Sequence, residues 1–387
     1  MIQNSACLSP RVYRIAFLST VMLGNANRYR VLRAHVEKDP TVLATWAPLR
    51  SWVQDDWLGF LPGWWRVRLR HLLDSSRVFL PGRYDAVVLH APEMWGVYGN
   101  FHSLFRRKGA LINNGDAGRI SSGRLATWLQ DIADERCDLF LPWTHYVAND
   151  LRVHAKQAFR QVEVLAPGIP LDVWQFRGLR EPQARSAFRI VFVGGEPIRK
   201  GLDTLVAAIE PLGSTVELHI ATHSAMLPGP LASKLASLPN VRLHLDLKAD
   251  TPALRNLVAS ADVFALPTTY DTYGFAIVEA MATGVPVIGT KVGGIPDIII
   301  HEKTGLLVNK DDTKELSAAI VRMRDMPPME RIQMIENGRK HVEQHHDAAK
   351  NANRLIELAK RAADFRAGRV GDAERTAWAA IGRSKGS

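Results

Sequence analysis

Short apolar runs alternate with longer amphipathic stretches along most of the chain. In the first half, the apolar runs predict strands at 13–19, 85–90, 110–113, 137–142 and 162–165, and the amphipathic stretches predict helices at 29–36 and 147–158. Strands that alternate with helices indicate a parallel sheet that is covered on both faces. The first half therefore predicts an α/β domain.

A polar segment at 174–186, rich in Arg, Gly and Pro, predicts a linker, and the alternation then restarts. Strands are predicted at 189–194, 216–220, 241–245, 263–266, 285–288 and 304–308, and helices at 201–211, 252–260, 274–284, 313–323 and 331–363. Two doubly wound α/β domains of similar size, facing across a cleft, are the expected architecture.

The length and composition of the chain agree with an architecture of two globular domains. A chain of 387 residues is too long for one ordinary core, and 47% hydrophobic with 23% charged residues is a normal composition for a globular protein. No apolar run is long enough to span a bilayer, and the N-terminus lacks the pattern of a secretory signal. Cys7 and Cys137 give neither a disulfide framework nor a metal cluster. We therefore expect a cytoplasmic protein.

The net charge of +10 indicates anionic partners. No zinc-finger spacing or basic arm is present, so nucleic acid is not an expected partner. One aromatic cluster leaves two interpretations open: it contains Trp46, Trp52, Trp57, Trp64 and Trp65, with Arg50, Arg66, Arg68 and Arg70 nearby. It either binds the inner face of an anionic membrane peripherally or packs beneath a loop of the first domain.

The most informative segment runs from 263 to 290. An apolar strand enters a polar loop at 268–272, a helix begins near Gly274, and a second buried strand follows. A loop that leaves a strand and opens a helix directs backbone N–H groups and a partial positive charge at one point, which suits a phosphate. Asp271 precedes the helix and Glu279 lies within it, so both carboxylates can face the same crevice.

A second segment, 193–205, has the same order of elements. A strand ends, Gly194 and Gly195 form a loop, and Lys200 stands immediately before a helix. The glycines let the backbone approach a ligand closely, and the lysine offers a point charge to a phosphate group.

Together, these segments resemble the donor site of retaining glycosyltransferases of family 4, also called glycosyl transferases group 1. That family shows an acid, seven residues and a glutamate, followed by Ala-Met-Ala-x-Gly-x-Pro-Val, which this chain matches with Asp271, Glu279 and residues 280–287. It also has a Gly-Arg…Lys-Gly element, matched here at Lys200 and Gly201, and a Gly-Gly-x-Pro-Glu loop, which 292–297 resembles with Asp297 in place of the glutamate. The chain departs from the pattern at the first acid, usually glutamate, and at Gly195, where the family has arginine.

The resemblance implies a GT-B fold, with two Rossmann-like domains, and transfer of a hexosyl-type sugar from a nucleotide-diphosphate sugar. The implied domains are an acceptor-side domain at 1–174, a donor domain at 187–340, and a helix that crosses back, with a tail, at 341–387. The acceptor is a glycan, a lipid-linked sugar or a small molecule, as in polysaccharide biosynthesis. A nucleotide-sugar epimerase or phosphorylase on the same fold, and a non-catalytic nucleotide-sugar binder, stay open as alternatives.

The resemblance also implies roles for individual residues. Lys200, Arg199 and the helix N-terminus would stabilise the departing diphosphate, Asp271 would bind a hydroxyl of the donor sugar, and Glu279 would bind the ribose. The implied catalytic residues are Asp271, Lys200 and Arg199, and the implied donor-binding residues are Gly194, Gly195, Lys200, Tyr273, Gly274, Phe275, Ala276 and Glu279. No Asp-x-Asp element presents a metal site, so neither a metal nor another cofactor is expected.

Candidates on the acceptor side are less defined. The loop after the first strand offers Gly24, Asn25 and Arg28. Family members often carry a histidine on a later loop of this domain, and here the candidates for that position are His90, Asn114 and Asp116, among which the sequence does not choose.

Overall fold

The computed structural model describes residues 11–19, 26–46, 84–90, 109–115, 137–154, 161–179, 187–249 and 251–371. The chain divides into two compact units. The N-terminal unit comprises the chain up to Trp143, Ala148–Leu165 and the residues from Ala352 onward, and the C-terminal unit comprises Thr144–Val147 and Ala166–Asn351.

The N-terminal unit contains a sheet of five described strands, all of them parallel, in the order β2-β1-β3-β4-β5. These strands are β1 (Tyr13–Ser19), β2 (Val42–Trp46), β3 (Ala86–His90), β4 (Ala110–Gly115) and β5 (Leu139–Pro142). The helix α1 (Ala26–Lys38) lies between β1 and β2 in the chain, and α2 (His145–His154) follows β5. Apart from the edge strand β2, the apolar residues of these strands are almost wholly buried, as expected for a parallel sheet covered on both faces.

The structure differs from the prediction at two elements of this unit. Strand β2 was not predicted, because its residues are half-exposed at the sheet edge and lack a continuous apolar run. The segment predicted as a strand at 162–165 runs beside β5 without forming a regular strand: Val162 makes an isolated bridge with Phe140, and the N–H groups of Glu163 and Leu165 donate to the carbonyls of Phe140 and Pro142, each at 2.9 Å.

The C-terminal unit contains a six-stranded parallel sheet in the order β11-β10-β9-β6-β7-β8. Its strands are β6 (Phe188–Val193), β7 (Val216–Thr222), β8 (Val241–Leu245), β9 (Val263–Leu266), β10 (Val287–Thr290) and β11 (Leu306–Val308). The order reverses between β6 and β9, so the loops at the carboxyl ends of these two strands leave the sheet side by side. In open α/β sheets, ligands bind at such a switch point.

Helices connect the strands of this second sheet. They are α3 (Leu202–Ile209), α4 (Gly229–Ser237), α5 (Pro252–Ala259), α6 (Phe275–Thr283), α7 (Ile295–Ile298), α8 (Thr313–Arg324) and α9 (Pro328–His345), with short 3-10 segments at Glu210–Thr215 and Ser224–Met226. Helix α6 is apolar on nearly all sides and its Ala280, Met281 and Ala282 are buried. It ends at Gly284, whose φ of 87° is the left-handed conformation that glycine adopts without strain.

The long helix predicted at 331–363 is two helices, α9 and α10 (Ala348–Arg366). The break occurs because Ile169 binds the backbone on both sides of it: its N–H donates to the carbonyl of His346 at 2.8 Å, and its carbonyl accepts from the N–H of Ala348 at 3.0 Å. Beyond the break, Leu355, Ile356 and Leu358 are buried in the core of the N-terminal unit. The predicted linker is also apolar at its start, since the side chain of Trp174 is buried.

No helix in the described part of the chain has the length and hydropathy needed to cross a membrane.

Candidate functional site

The two loops at the switch point are joined through their backbones. The carbonyl of Arg199, in the loop after β6, accepts a hydrogen bond from the N–H of Thr269 at 2.9 Å, in the loop after β9. The hydroxyl of Thr290, at the end of β10, donates to the carbonyl of Thr268 at 2.5 Å. Three adjacent strand ends therefore hold the loop 267–274 in place.

Two glycines permit this close approach. Gly201 has a φ of 77°, and a Cβ atom on it would overlap the carbonyl oxygen of Pro267. Gly293 has a φ of 51°, and a Cβ atom there would overlap the carbonyl oxygen of Asp271. Any other residue at either position would meet both backbone strain and a clash, so the loop containing Asp271 depends on both glycines.

Lys200 and Asp271 form an ion pair between the two loops, with the lysine Nζ bonded to Oδ2 of the aspartate. Both side chains are mostly buried, at 16% and 14% exposure. Gly194 lies beneath the lysine stem, since a Cβ on Gly194 would be 3.0 Å from the lysine Cγ. The two residues that the sequence placed 71 positions apart thus meet at one point.

Arg199 has protein partners on three of its guanidinium atoms. Nε and Nη2 donate to the carboxylate of Glu196 at 2.8 and 3.0 Å, and Nη1 donates to the carbonyl of Tyr270 at 2.7 Å. The hydrogen bonds with Glu196 raise the pKa of Arg199, and the same bonds lower the pKa of Glu196. The sequence suggested Arg199 as a ligand of the diphosphate, whereas here its guanidinium braces the loop after β9.

Helix α6 begins at this point. Its N-cap is Gly274, with a φ of 24°, and the first bond within the helix runs from the N–H of Ile277 to the Gly274 carbonyl at 3.0 Å. Phe275 and Ala276 occupy the first turn, where helix geometry provides no intrahelical acceptor for the N–H groups and the helix dipole is positive. Glu279 is half-buried one turn further along.

Tyr273 points into the protein. Its side chain is buried, its ring packs on Phe275 at 4.4 Å between centroids, and its hydroxyl is 2.8 Å from Nδ1 of His346. Among the proposed donor residues, Tyr273 can therefore present only its backbone to a ligand. The sequence did not reveal His346, because a contact across 73 positions leaves no local pattern.

Gly195 is exposed, unlike the buried Gly194. A Cβ atom on Gly195 would lie 3.3 Å from Cδ2 of His223, at the end of the neighbouring strand β7. The position where the family has an arginine is thus flanked here by an exposed imidazole, a residue that sequence analysis missed.

The candidates on the acceptor side are only partly described. Asn114 is buried at the end of β4, and its Oδ1 accepts a hydrogen bond from Nε1 of Trp143 at 3.0 Å. Arg28 lies on α1 and His90 ends β3, but both side chains lie outside the described structure, as do Gly24, Asn25 and Asp116 in full.

The tryptophan cluster has one described member. Trp46 is in β2 and stacks on Phe17, with 4.5 Å between ring centroids, so it belongs to the packing of the first sheet. The other members, from Arg50 to Arg70, lie outside the described residues.

No group of three or more His, Cys, Asp or Glu side chains is placed to hold a metal ion in the part of the chain that the structure describes. The charges at the switch point come instead from side chains and from the helix N-terminus.

Comparison with protein families supports the resemblance of the two loops. A family model described as Glycosyl transferases group 1 matches residues 187–325, a range that includes both loops and the ion pair. The D-inositol 3-phosphate glycosyltransferase of Xylanimonas cellulosilytica is 28% identical over 259 residues, which cover 60% of this chain and 61% of that relative. The enzyme of the same name from Mycolicibacterium smegmatis is 29% identical over 289 residues, covering 66% and 63%. The chain thus spans less than two thirds of the length of these two relatives.

Solved structures share the architecture at lower sequence identity. Anabaena HepE, in complex with UDP and glucose, aligns with a TM-score of 0.68 at 15% identity and covers 90% of this chain and 99% of its own. Sucrose-phosphate synthase from Thermosynechococcus elongatus aligns with a TM-score of 0.67 at 19% identity, covering 90% and 98%. The predicted GT-B fold, with two parallel α/β domains, is confirmed.

The buried His346 predicts a pH dependence of stability. Burial, together with the neighbouring His341 and His345, lowers its pKa to about 3, whereas an unfolded histidine has a pKa of about 6.5. Between these values the unfolded chain binds a proton that the folded chain does not, so the free energy of unfolding falls as the pH drops below about 6.5. Urea denaturation between pH 7.5 and 5 should show this loss.

The variant His346→Asn removes the titrating group and should flatten this dependence. Some dependence should persist, because burial also lowers the pKa of His341. Equal slopes for the variant and the wild type would contradict the assignment.

Proposed function

We propose that this protein is a retaining glycosyltransferase that uses a nucleotide-diphosphate sugar, and the match of residues 187–325 to the model of the glycosyl transferases group 1 family supports this proposal. The observation that carries this proposal is the Lys200–Asp271 pair, held between two loops at the switch point of the sheet. A cation and a carboxylate that lie side by side can bind the two parts of one donor molecule: the cation binds the diphosphate, and the carboxylate accepts a hydrogen bond from the sugar. The comparisons do not favour the epimerase, phosphorylase or non-catalytic alternatives.

In the proposed reaction, the bond between sugar C1 and the diphosphate oxygen breaks, and an acceptor hydroxyl oxygen forms a new bond to C1 from the same face. The acceptor proton leaves with the diphosphate oxygen. Lys200 and the N-terminus of α6 stabilise the charge that develops on this leaving group. The reaction needs no metal in this scheme, so transfer should continue in EDTA.

We assign the two acids different ligands. Asp271, beside Lys200, accepts from a hydroxyl of the donor sugar, and Glu279, further along α6, accepts from the ribose hydroxyls. A uridine donor is supported by the neighbouring structure of HepE, which was determined with UDP and with UDP-glucose. The acceptor belongs to the classes of glycans, lipid-linked sugars or small polyols, and the names of the relatives make D-inositol 3-phosphate the first one to assay.

The variant Lys200→Ala tests the proposal directly. It removes the cation at the leaving group, so UDP affinity should fall by about 30-fold, or ~2 kcal/mol, and transfer should fall at least as much. Isothermal titration with UDP and product analysis from UDP-glucose measure the two effects, and NMR of the product reports whether the anomeric configuration is retained.

Lys234→Ala is the matched control, because Lys234, on α4, forms an exposed ion pair with Glu210 of the 3-10 segment Glu210–Thr215. It should leave UDP affinity unchanged. If a folded Lys200→Ala variant binds UDP and transfers sugar like the wild type, the donor site has been assigned to the wrong residues.

Variants of the two acids should affect UDP binding and sugar transfer differently. Glu279→Gln should weaken UDP binding, because an amide is a poorer acceptor for two ribose hydroxyls than a carboxylate. Asp271→Asn should keep or raise UDP affinity, since Lys200 is released from its ion pair, while sugar transfer falls. Titration with UDP and initial rates with UDP-glucose distinguish them, and an equal loss of UDP affinity in both variants would argue against separate roles.

We also propose that the protein binds the cytoplasmic face of an anionic membrane, which would supply a lipid-linked acceptor. The net charge of +10 and the tryptophans near residue 60 support this. A basic residue near such a surface contributes about 1 kcal/mol, and salt screens the attraction. Co-sedimentation should therefore occur with anionic but not neutral vesicles, decline with salt, and weaken in Trp64→Ala/Trp65→Ala. Protein that stays in the supernatant at low salt would disprove membrane binding.

A further inference from the structure

We propose that His346 is a positioning residue, which holds Tyr273 and thereby sets the first turn of α6 at the donor diphosphate. The inference rests on the proposed function, because it concerns the anion that this turn would bind. His346 does not itself contact the substrate in this proposal. It acts through the hydrogen bond between its Nδ1 and the hydroxyl of Tyr273, at 2.8 Å.

Tyr273 is well placed to transmit such a restraint. It directly precedes Gly274, the N-cap of α6, whose carbonyl accepts the first hydrogen bonds of the helix from Ile277 and Val278. Its ring also packs against Phe275, in the first turn. A shift of the tyrosine ring would therefore move the residues on both sides of the N-cap.

His346 is itself fixed at the break between α9 and α10. Its N–H donates to the carbonyl of Val342 at 2.8 Å, and its carbonyl accepts from the N–H of Ile169 at 2.8 Å. The imidazole is thus presented to Tyr273 from a backbone that is hydrogen-bonded on both sides of the residue.

Burial of the imidazole costs free energy of folding that its packing contacts do not offset. The side chain is 4% exposed, and its Nε2 has no hydrogen-bond partner in the described part of the chain. Burying an unsatisfied polar atom is unfavourable, so an apolar side chain would serve stability better at this point. The hydrogen bond to Tyr273 is the specific interaction that a histidine provides here.

Different residues therefore restrain the middle and the C-terminal end of the loop 267–274. The guanidinium of Arg199 holds the carbonyl of Tyr270, and His346 holds the side chain of Tyr273. Loss of the His346 bond leaves the first restraint intact. Its effect should consequently fall on the first turn of α6 rather than on the ion pair of Asp271.

The test compares three single variants and one double variant in their binding of a nucleoside diphosphate. Wild type is first titrated with UDP, GDP and ADP, and the one that it binds is then used throughout. Tyr273→Phe keeps the ring but removes the hydroxyl, and the dissociation constant should rise about five- to tenfold, as expected for one lost hydrogen bond. His346→Gln should weaken binding similarly, because its amide reaches the position of Nε2 rather than Nδ1.

His346→Asn should restore affinity close to that of the wild type, because its amide occupies the position of Nδ1 and can bond to the tyrosine hydroxyl. The double variant Tyr273→Phe/His346→Gln should bind no more weakly than either single variant, since both remove the same interaction.

A stability control separates positioning from simple destabilisation. Ile320→Val, on the buried face of α8, should lower the free energy of unfolding in the same unit and leave diphosphate affinity unchanged. If Tyr273→Phe lowers the melting temperature as Ile320→Val does but binds the diphosphate like the wild type, the bond is only structural and the inference is wrong. If the wild type binds none of the three diphosphates, the proposed function itself fails.

Discussion

The contact between the backbones of two loops at the switch point is the constraint on which the site depends. Gly201 lies against the carbonyl of Pro267, and Gly293 lies against the carbonyl of Asp271. Because these contacts involve main-chain atoms, they leave no freedom for a rotamer change to absorb an added Cβ. The separation between Lys200 and Asp271 is therefore set by the packing of three strand ends, and a site held by such rigid elements is pre-organised for its ligand.

The loops at this site are close to neutral in sum. Arg199 is paired with Glu196, and Lys200 is paired with Asp271. An incoming diphosphate would thus exchange with Asp271 for the lysine rather than meet an unpaired cation. The exchange is favoured by the higher charge of a diphosphate and by the N-terminus of α6. Since the lysine side chain is already ordered by its ion pair, less conformational entropy is lost when the ligand replaces the carboxylate.

The local sequence pattern was sufficient to predict the helices and strands nearest the site. It was insufficient to predict which residues contact the site from distant parts of the chain. The strands Val241–Leu245 and Val263–Leu266 were predicted with the bounds that the structure has. Val263–Leu266 is a continuous apolar run, and Val241–Leu245 alternates apolar and polar residues with the period of a half-buried strand. Strand β2, a partly exposed edge strand, shows neither a fully apolar run nor this alternation and was missed. Residues with no charge or glycine signal of their own, such as Tyr273, were placed by the resemblance alone, which could not show that the side chain turns inward to His346.

Two departures from the family pattern, at Gly195 and at Asp271, both change the charges around Lys200. Gly195 removes a cation from the loop after β6, and the arginine that could have replaced it, Arg199, is held by Glu196 and by the carbonyl of Tyr270. With one cation fewer at this point, Lys200 carries a larger share of the charge that faces a ligand. Asp271, although shorter than glutamate, reaches Lys200 with its carboxylate, while its backbone carbonyl packs against Gly293 and accepts a hydrogen bond from the N–H of Gly294 at 2.9 Å. The loop 267–274, Lys200 and the N-terminus of α6 lie next to one another, so a change at any one of them alters the electrostatic environment of the others.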